Sequence, residues 1–106
     1  MPAHQGRILL VEDDPALAGM MVDLLHAADY EVDGPHASVS DSVAALALHF
    51  PDGAVLDLHR PAADASVLRD DLEAYDIPFL ECGENDAKEP QGLERQLLPW
   101  LRRMHH

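Results

Sequence analysis

Carboxylates stand where two short apolar runs end. Arg7-Ile8-Leu9-Leu10-Val11 stops at Glu12, Asp13 and Asp14, and Ala54-Val55-Leu56 stops at Asp57. Unbroken runs of this length and composition read as strands buried on both faces. In an open parallel sheet, ligands bind beyond the carboxyl ends of the strands. If the two strands are neighbours, Glu12, Asp13 and Asp57 meet at one edge of the sheet. Like charges that close are unfavourable unless a proton or a cation intervenes. Oxygen donors alone, on an open edge, suit Mg²⁺, which takes one or two carboxylates and keeps several waters. A bound Mg²⁺ would also neutralise an incoming phosphoryl group beside an aspartate nucleophile. Taken singly, the acids have plainer readings: Asp13 and Asp14 before Pro15 suit a helix start, and Asp57 suits a turn. Taken together, with both strands ending in acid, they point to a site.

The elements that must position these acids follow from the same pattern. Asp14 is a good N-cap and Pro15 a good first helical residue. Leu17, Met20, Met21, Leu24, Leu25 and Ala28 then recur at helical spacing. Tyr30–Val32 predicts a short strand, closed by Asp33-Gly34-Pro35, which reads as a turn. Ser40 is the expected cap of a helix whose face is Val43, Leu46, Ala47 and Phe50, and Pro51-Asp52-Gly53 is the turn before Ala54. Asp64 to Tyr75 predicts a helix using Val67, Leu68, Leu72 and Tyr75. Ile77-Pro78-Phe79-Leu80 predicts a fourth strand, with Pro78 suited to a strand start. Glu84 to Gln91 is polar and turn-like. Gly92 to His105 predicts a last helix with Leu93, Leu97 and Leu101 on one face, kinked or divided by Pro99. Strands alternating with helices predict an α/β domain spanning 1–106, with a parallel sheet between two helical layers.

Composition narrows the function. The chain has 106 residues, 47% apolar and 25% charged, ordinary values for one soluble domain. Cys82 is the only cysteine, so a disulfide scaffold is excluded. No apolar run reaches the ~18 residues of a membrane span, and Met1 to Arg7 has no apolar signal region. A cytoplasmic location is expected. The net charge is -13, which disfavours nucleic acid and favours cations or basic partners. Residues 1–59 carry ten acids and one base, Arg7; residues 60–106 carry ten acids and six bases. The seven histidines show no metal-ligand spacing with cysteine. Cys82, between Glu81 and Glu84, lacks the cationic setting of a reactive thiol. No glycine-rich phosphate loop is present.

The stretches Ile8–Pro15 and Pro51–Leu58 resemble the receiver domains of bacterial two-component response regulators, and Pro61 and Ile77-Pro78-Phe79-Leu80 extend the likeness. It is specific over residues 7–81 and fades beyond. Val32–Pro35 and Ile77–Phe79 look most like single-domain receivers paired with HWE-type histidine kinases. The resemblance implies a doubly wound, flavodoxin-like (CheY-like) fold with a five-stranded parallel sheet. It implies that Asp57 accepts a phosphoryl group from a phosphohistidine on a sensor histidine kinase or phosphotransfer protein. It also implies Mg²⁺ held by Asp13 and Asp57 directly, by Glu12 through water and by the backbone carbonyl of His59. The output would pass through protein contacts, which makes the chain a signalling module rather than an enzyme.

Three departures from the family stand out. The Thr or Ser expected at the end of the fourth strand is Gly83, with the Cys82 thiol as the nearest polar alternative. The family lysine, followed by Pro, has only Lys88 as a counterpart, in Lys88-Glu89-Pro90. Either Lys88 fills that role from a shortened loop or the role is empty. The usual Gly after the phosphoacceptor is Ala65. By comparison with the family, roughly a helix and the approach to a fifth strand are shortened or missing. The exposed face this would leave could be covered by Leu98, Trp100 and Leu101, the core reading favoured for Trp100, or could form a homodimer contact. The alternatives are a degenerate receiver, acting as a phosphorylation-independent interaction module, and a small Mg²⁺-dependent phosphatase with Asp57 as nucleophile.

Overall fold

The computed structural model describes residues 6–58, 65–82 and 90–104, with side chains left undescribed at 90–94 and 104. Four strands form one sheet: β1 (Gly6–Glu12), β2 (Tyr30–His36), β3 (Gly53–Asp57) and β4 (Phe79–Glu81). Their order is β2-β1-β3-β4, and every pairing is parallel. The connecting helices are α1 (Pro15–Ala27), α2 (Val39–Leu48) and α3 (Ser66–Ala74), and α4 (Pro90–Met104) follows β4. This is the expected α/β architecture, a shortened flavodoxin-like sheet of four strands.

Side chains alternate across a strand, so β1 feeds two cores. Ile8 and Leu10 pack with Val55 of β3, with Leu17, Met21 and Leu25 of α1, and with Leu97, Trp100 and Leu101 of α4. Leu9 and Val11 pack on the opposite face with Ala54 and Leu56, with Ala45 and Leu46 of α2, and with Leu68 and Leu72 of α3. Trp100 is thus a core residue that closes one face of the sheet.

Four local expectations are corrected. β2 does not stop at Val32; it runs to His36 through Gly34 and Pro35, with a register shift against β1 between Leu9 and Val11. β2 is an edge strand, where the absent N–H of proline costs no ladder bond. Gly34 is required there: its φ is 127°, and a Cβ would meet the Leu10 carbonyl oxygen at 2.7 Å. The cap of α2 is Ser38, not Ser40; its hydroxyl accepts the Asp41 N–H at 3.1 Å. The expected face shifts as well: the buried residues are Ser42, Ala45 and Leu46, while Ala47 and Phe50 are exposed. The third helix spans Ser66–Ala74, and its expected start at Asp64 lies outside the described residues. Finally, α4 runs unbroken through Pro99, which lies on its exposed side.

Candidate functional site

β1 and β3 are adjacent at the centre of the sheet, and their register sets Glu12 directly opposite Asp57. Both are the last residues of their strands. By the alternation of side chains, both project to the face of Ile8, Leu10 and Val55, under α1 and α4. Their side chains are withdrawn from water: Glu12 is 2% exposed and Asp57 1%. The Glu12 Oε1 and Asp57 Oδ2 atoms in particular are shielded from solvent.

The turn after β1 fixes this pair. Glu12 Oε2 accepts the Asp14 N–H at 3.0 Å. Asp14 in turn caps α1, its Oδ1 accepting the N–H groups of Ala16 at 2.9 Å and Leu17 at 3.3 Å. Pro15 occupies the first helical turn, where its missing N–H costs nothing. Asp14 is therefore a structural acid, as the plainer reading of the sequence allows. Asp13 is half-buried and is not the cap.

Burying two carboxyls side by side has an electrostatic consequence. Burial, then a hydrogen bond with Asp57 and the charges of Asp57 and Asp13, pushes the Glu12 carboxyl up to about 9; only the Asp14 N–H works the other way. A proton held on Glu12 relieves the repulsion between the two carboxyls. A divalent cation would relieve it equally, and an all-oxygen donor set on a sheet edge fits Mg²⁺. In the present arrangement no group of three His, Cys, Asp or Glu side chains among the described residues is drawn together as a metal cage. The structure brings Glu12 and Asp57 together, with Asp13 acting on Glu12 through its charge.

Cys82, named from the sequence only as the nearest polar alternative to a missing hydroxyl, stands beside the acidic pair. β4 pairs with β3 through Val55–Leu80 and Leu56–Glu81, and the Cys82 N–H reaches the Leu56 carbonyl at 2.9 Å. One step further places Cys82 level with Asp57, so Glu12, Asp57 and Cys82 form a row across three strands. Burial, with the charges of Asp57 and Glu12, pushes its thiol up to about 12. The group at this position is thus a neutral S–H, not a thiolate nucleophile. Only strand register, which a single sequence does not print, could have placed it there. His59, Gly83 and Lys88, named from the sequence, lie outside the described residues.

No protein-family model matches the sequence, and no curated protein matches it. Solved structures do. The chain is similar to the non-phosphorylated HemR receiver domain from Leptospira biflexa, at 25% identity over 92% of each chain and a TM-score of 0.68. It is similar to the BeF3-activated conformation of SdrG from Pseudomonas melonis, at 26% identity over 100% of each chain and a TM-score of 0.69. The N-terminal domain of a response regulator receiver protein from Methanoculleus marisnigri shares the fold, at 24% identity over 85% of this chain and 75% of that one, with a TM-score of 0.64.

Proposed function

Because this chain has the fold of a CheY-like response-regulator receiver, we propose that it accepts a phosphoryl group on Asp57 in a Mg²⁺-dependent reaction and signals through protein contacts. The observation that carries this reading is the register pair Glu12–Asp57, two buried carboxyls at the carboxyl edge of adjacent central strands. Burial of a carboxyl beside another acid costs stability and has no packing purpose, so it reads as chemistry.

The donor is a phosphohistidine on a sensor histidine kinase or phosphotransfer protein. An oxygen of the Asp57 carboxylate attacks phosphorus, an O–P bond forms, the N–P bond breaks with its electron pair going to nitrogen, and a ring already protonated on its other nitrogen leaves as neutral imidazole. Glu12, Asp13, Asp57 and the backbone carbonyl of His59 would hold Mg²⁺. When bound, that ion neutralises charge on the transferring phosphoryl oxygens. The chain's own contribution is positional. The Asp14 N–H fixes Glu12, the capped start of α1 holds the turn, and the core of Ile8, Leu10 and Val55 holds the two strand ends level. Lys88 would supply a second positive charge if its loop carries it to Asp57. With a thiol rather than a hydroxyl beside Asp57, the neighbouring donor to a new phosphoryl oxygen is weak, so phosphorylation is expected to be slow.

The test is intact-mass spectrometry after incubation with acetyl phosphate, with and without Mg²⁺, beside an Asp57→Ala control. The expected result is one phosphoryl adduct that requires Mg²⁺ and vanishes in the control. No adduct on folded protein would replace this reading with a phosphorylation-independent interaction module.

A further inference from the structure

The amino end of the sheet, opposite the acidic pair, carries a second surface. Leu48 is the last residue of α2, and Phe50 lies just beyond its C-cap, His49; they are 78% and 63% exposed. Tyr75, the C-cap of α3, is also exposed. The Phe50 and Tyr75 rings contact each other, with centroids 4.7 Å apart and planes tilted by 32°. Phe50 also walls a cleft of about 290 Å³ whose other sides are Gly6, Arg7, Glu31 and Asp52. The Arg7 guanidinium is held by Glu31 at 2.7 and 2.9 Å, and Asp52 Oδ2 accepts the Arg7 N–H at 2.8 Å.

Carboxylates and helix ends dominate this surface, and the charge of Arg7 is already taken up by Glu31. The ends of α2 and α3 both meet here, and a helix C-terminus carries partial negative charge. Neither helix has a basic residue in its last turn to offset it. Glu73 and Asp76 flank Tyr75 and are exposed, as is Asp52 beside Phe50. Two aromatic rings facing solvent, ringed by carboxylates and helix C-termini, are complementary to a cation carried on an apolar stem.

We propose that this surface docks a basic segment of a partner protein, with an arginine or lysine side chain laid against Phe50 and Tyr75 and directed toward the carboxylates of the cleft. Charge decides against other occupants. A second copy packed on this face by two-fold symmetry would set Glu73, Asp76 and Asp52 against the same acids. An anionic lipid surface or nucleic acid would be repelled by a chain of net charge -13. The surface is independent of Asp57 and lies at the other end of the sheet from it.

The test titrates the full chain with a short acetylated peptide of alternating arginine and leucine while backbone amide NMR shifts are followed. The same peptide with glutamate for arginine is the control. Shifts are expected at Leu48 to Asp52 and at Tyr75 and Asp76, with affinity reduced about tenfold in the double variant Phe50→Ala, Tyr75→Ala. Both rings are more than half exposed, so that variant is expected to fold. A second variant, Glu73→Lys, places a favourable charge at a helix end. It is expected to weaken the peptide while leaving Tm unchanged or raised. Shifts centred on Glu12 to Asp14 and Asp57, or binding unchanged in both variants, would overturn the proposal. So would self-association of the peptide-free chain that depends on Phe50 and Tyr75, because the occupant would then be a second copy.

Discussion

The two ends of the sheet invert the usual placement of polar and apolar groups in opposite senses. At the carboxyl end, Glu12 and Asp57 are carboxyls taken out of water. At the amino end, Phe50 and Tyr75 are rings left in it. Between them lies an ordinary two-faced core. A folded chain tolerates each departure because the middle of β1 and β3 is fully buried and apolar. Departures from the burial rule thus collect at strand ends, where ligands and partners have access, and the strand middles supply the stability that both ends draw on.

The largest effect on both ends together is expected from Leu10→Ala, in the shared middle. Leu10 is 0% exposed and packs between α1 and α4, and such a truncation typically costs about 2–5 kcal/mol. Urea unfolding monitored by Trp100 fluorescence measures it. A cost much smaller than this would show that the two ends do not share one core.

Next comes a substitution that separates the ends by sign. Asp57→Asn removes a buried acid beside Glu12 and is expected to raise stability without divalent cation, by about 1–2 kcal/mol. It should also weaken a pH dependence, because the part of the Glu12 shift that Asp57 causes is lost while the part that burial causes stays. In the folded protein Glu12 keeps its proton to about 9, chiefly because it is buried, whereas its ordinary value is 4.5. Above that ordinary value the unfolded chain releases a proton that the folded chain retains. This contribution to stability is therefore intact below about 4.5 and is lost as pH rises toward 9. Tm measured across that range should fall more steeply in the parent chain than in Asp57→Asn or Glu12→Gln. Mg²⁺ should raise Tm and flatten the slope in the parent chain alone. Equal slopes in all three would remove the electrostatic half of the comparison.

At the amino end the corresponding substitution is expected to destabilise. Gly6 has φ of 154°, and a Cβ there would meet Asp52 Oδ2 at 2.7 Å. Gly6→Ala should cost about 1–3 kcal/mol through backbone strain and displacement of Asp52. The smallest effect is expected from Asp14→Ala, which removes the α1 cap and typically costs about 1 kcal/mol. Because Glu12 is held by the Asp14 N–H and not by its side chain, phosphoryl labelling should survive that change. Thermal unfolding and adduct formation on the same sample check both statements.

Much of the carboxyl end was legible in the sequence because its signals are local. An apolar run and an acid at its end need no tertiary information, and Asp14, Pro15 and the strands β1 and β3 follow from such local signals. The register pair Glu12–Asp57 was legible as a condition, that the two strands be neighbours, and the sheet meets it. What stayed hidden depends on tertiary placement. Gly34 and Pro35 read as a chain break, yet an edge strand absorbs them. Ser40 reads as the cap of α2, yet the hydroxyl that accepts a first-turn N–H is that of Ser38. Phe50 looked like a core residue because helical spacing was extended past the true end of α2. Cys82 joins the acidic row only through the register of β4.

The measurement that tests the central claim most directly is chemical localisation of the phosphoryl group. An acyl phosphate reacts with hydroxylamine to give a hydroxamate at the carboxyl that carried it, so chain labelled with acetyl phosphate and Mg²⁺ can be trapped, digested and sequenced by mass. The account predicts a single hydroxamate at Asp57, absent without Mg²⁺ and absent in Asp57→Ala. A hydroxamate at Asp13 or at any other acid, or none at all on folded protein, would contradict it.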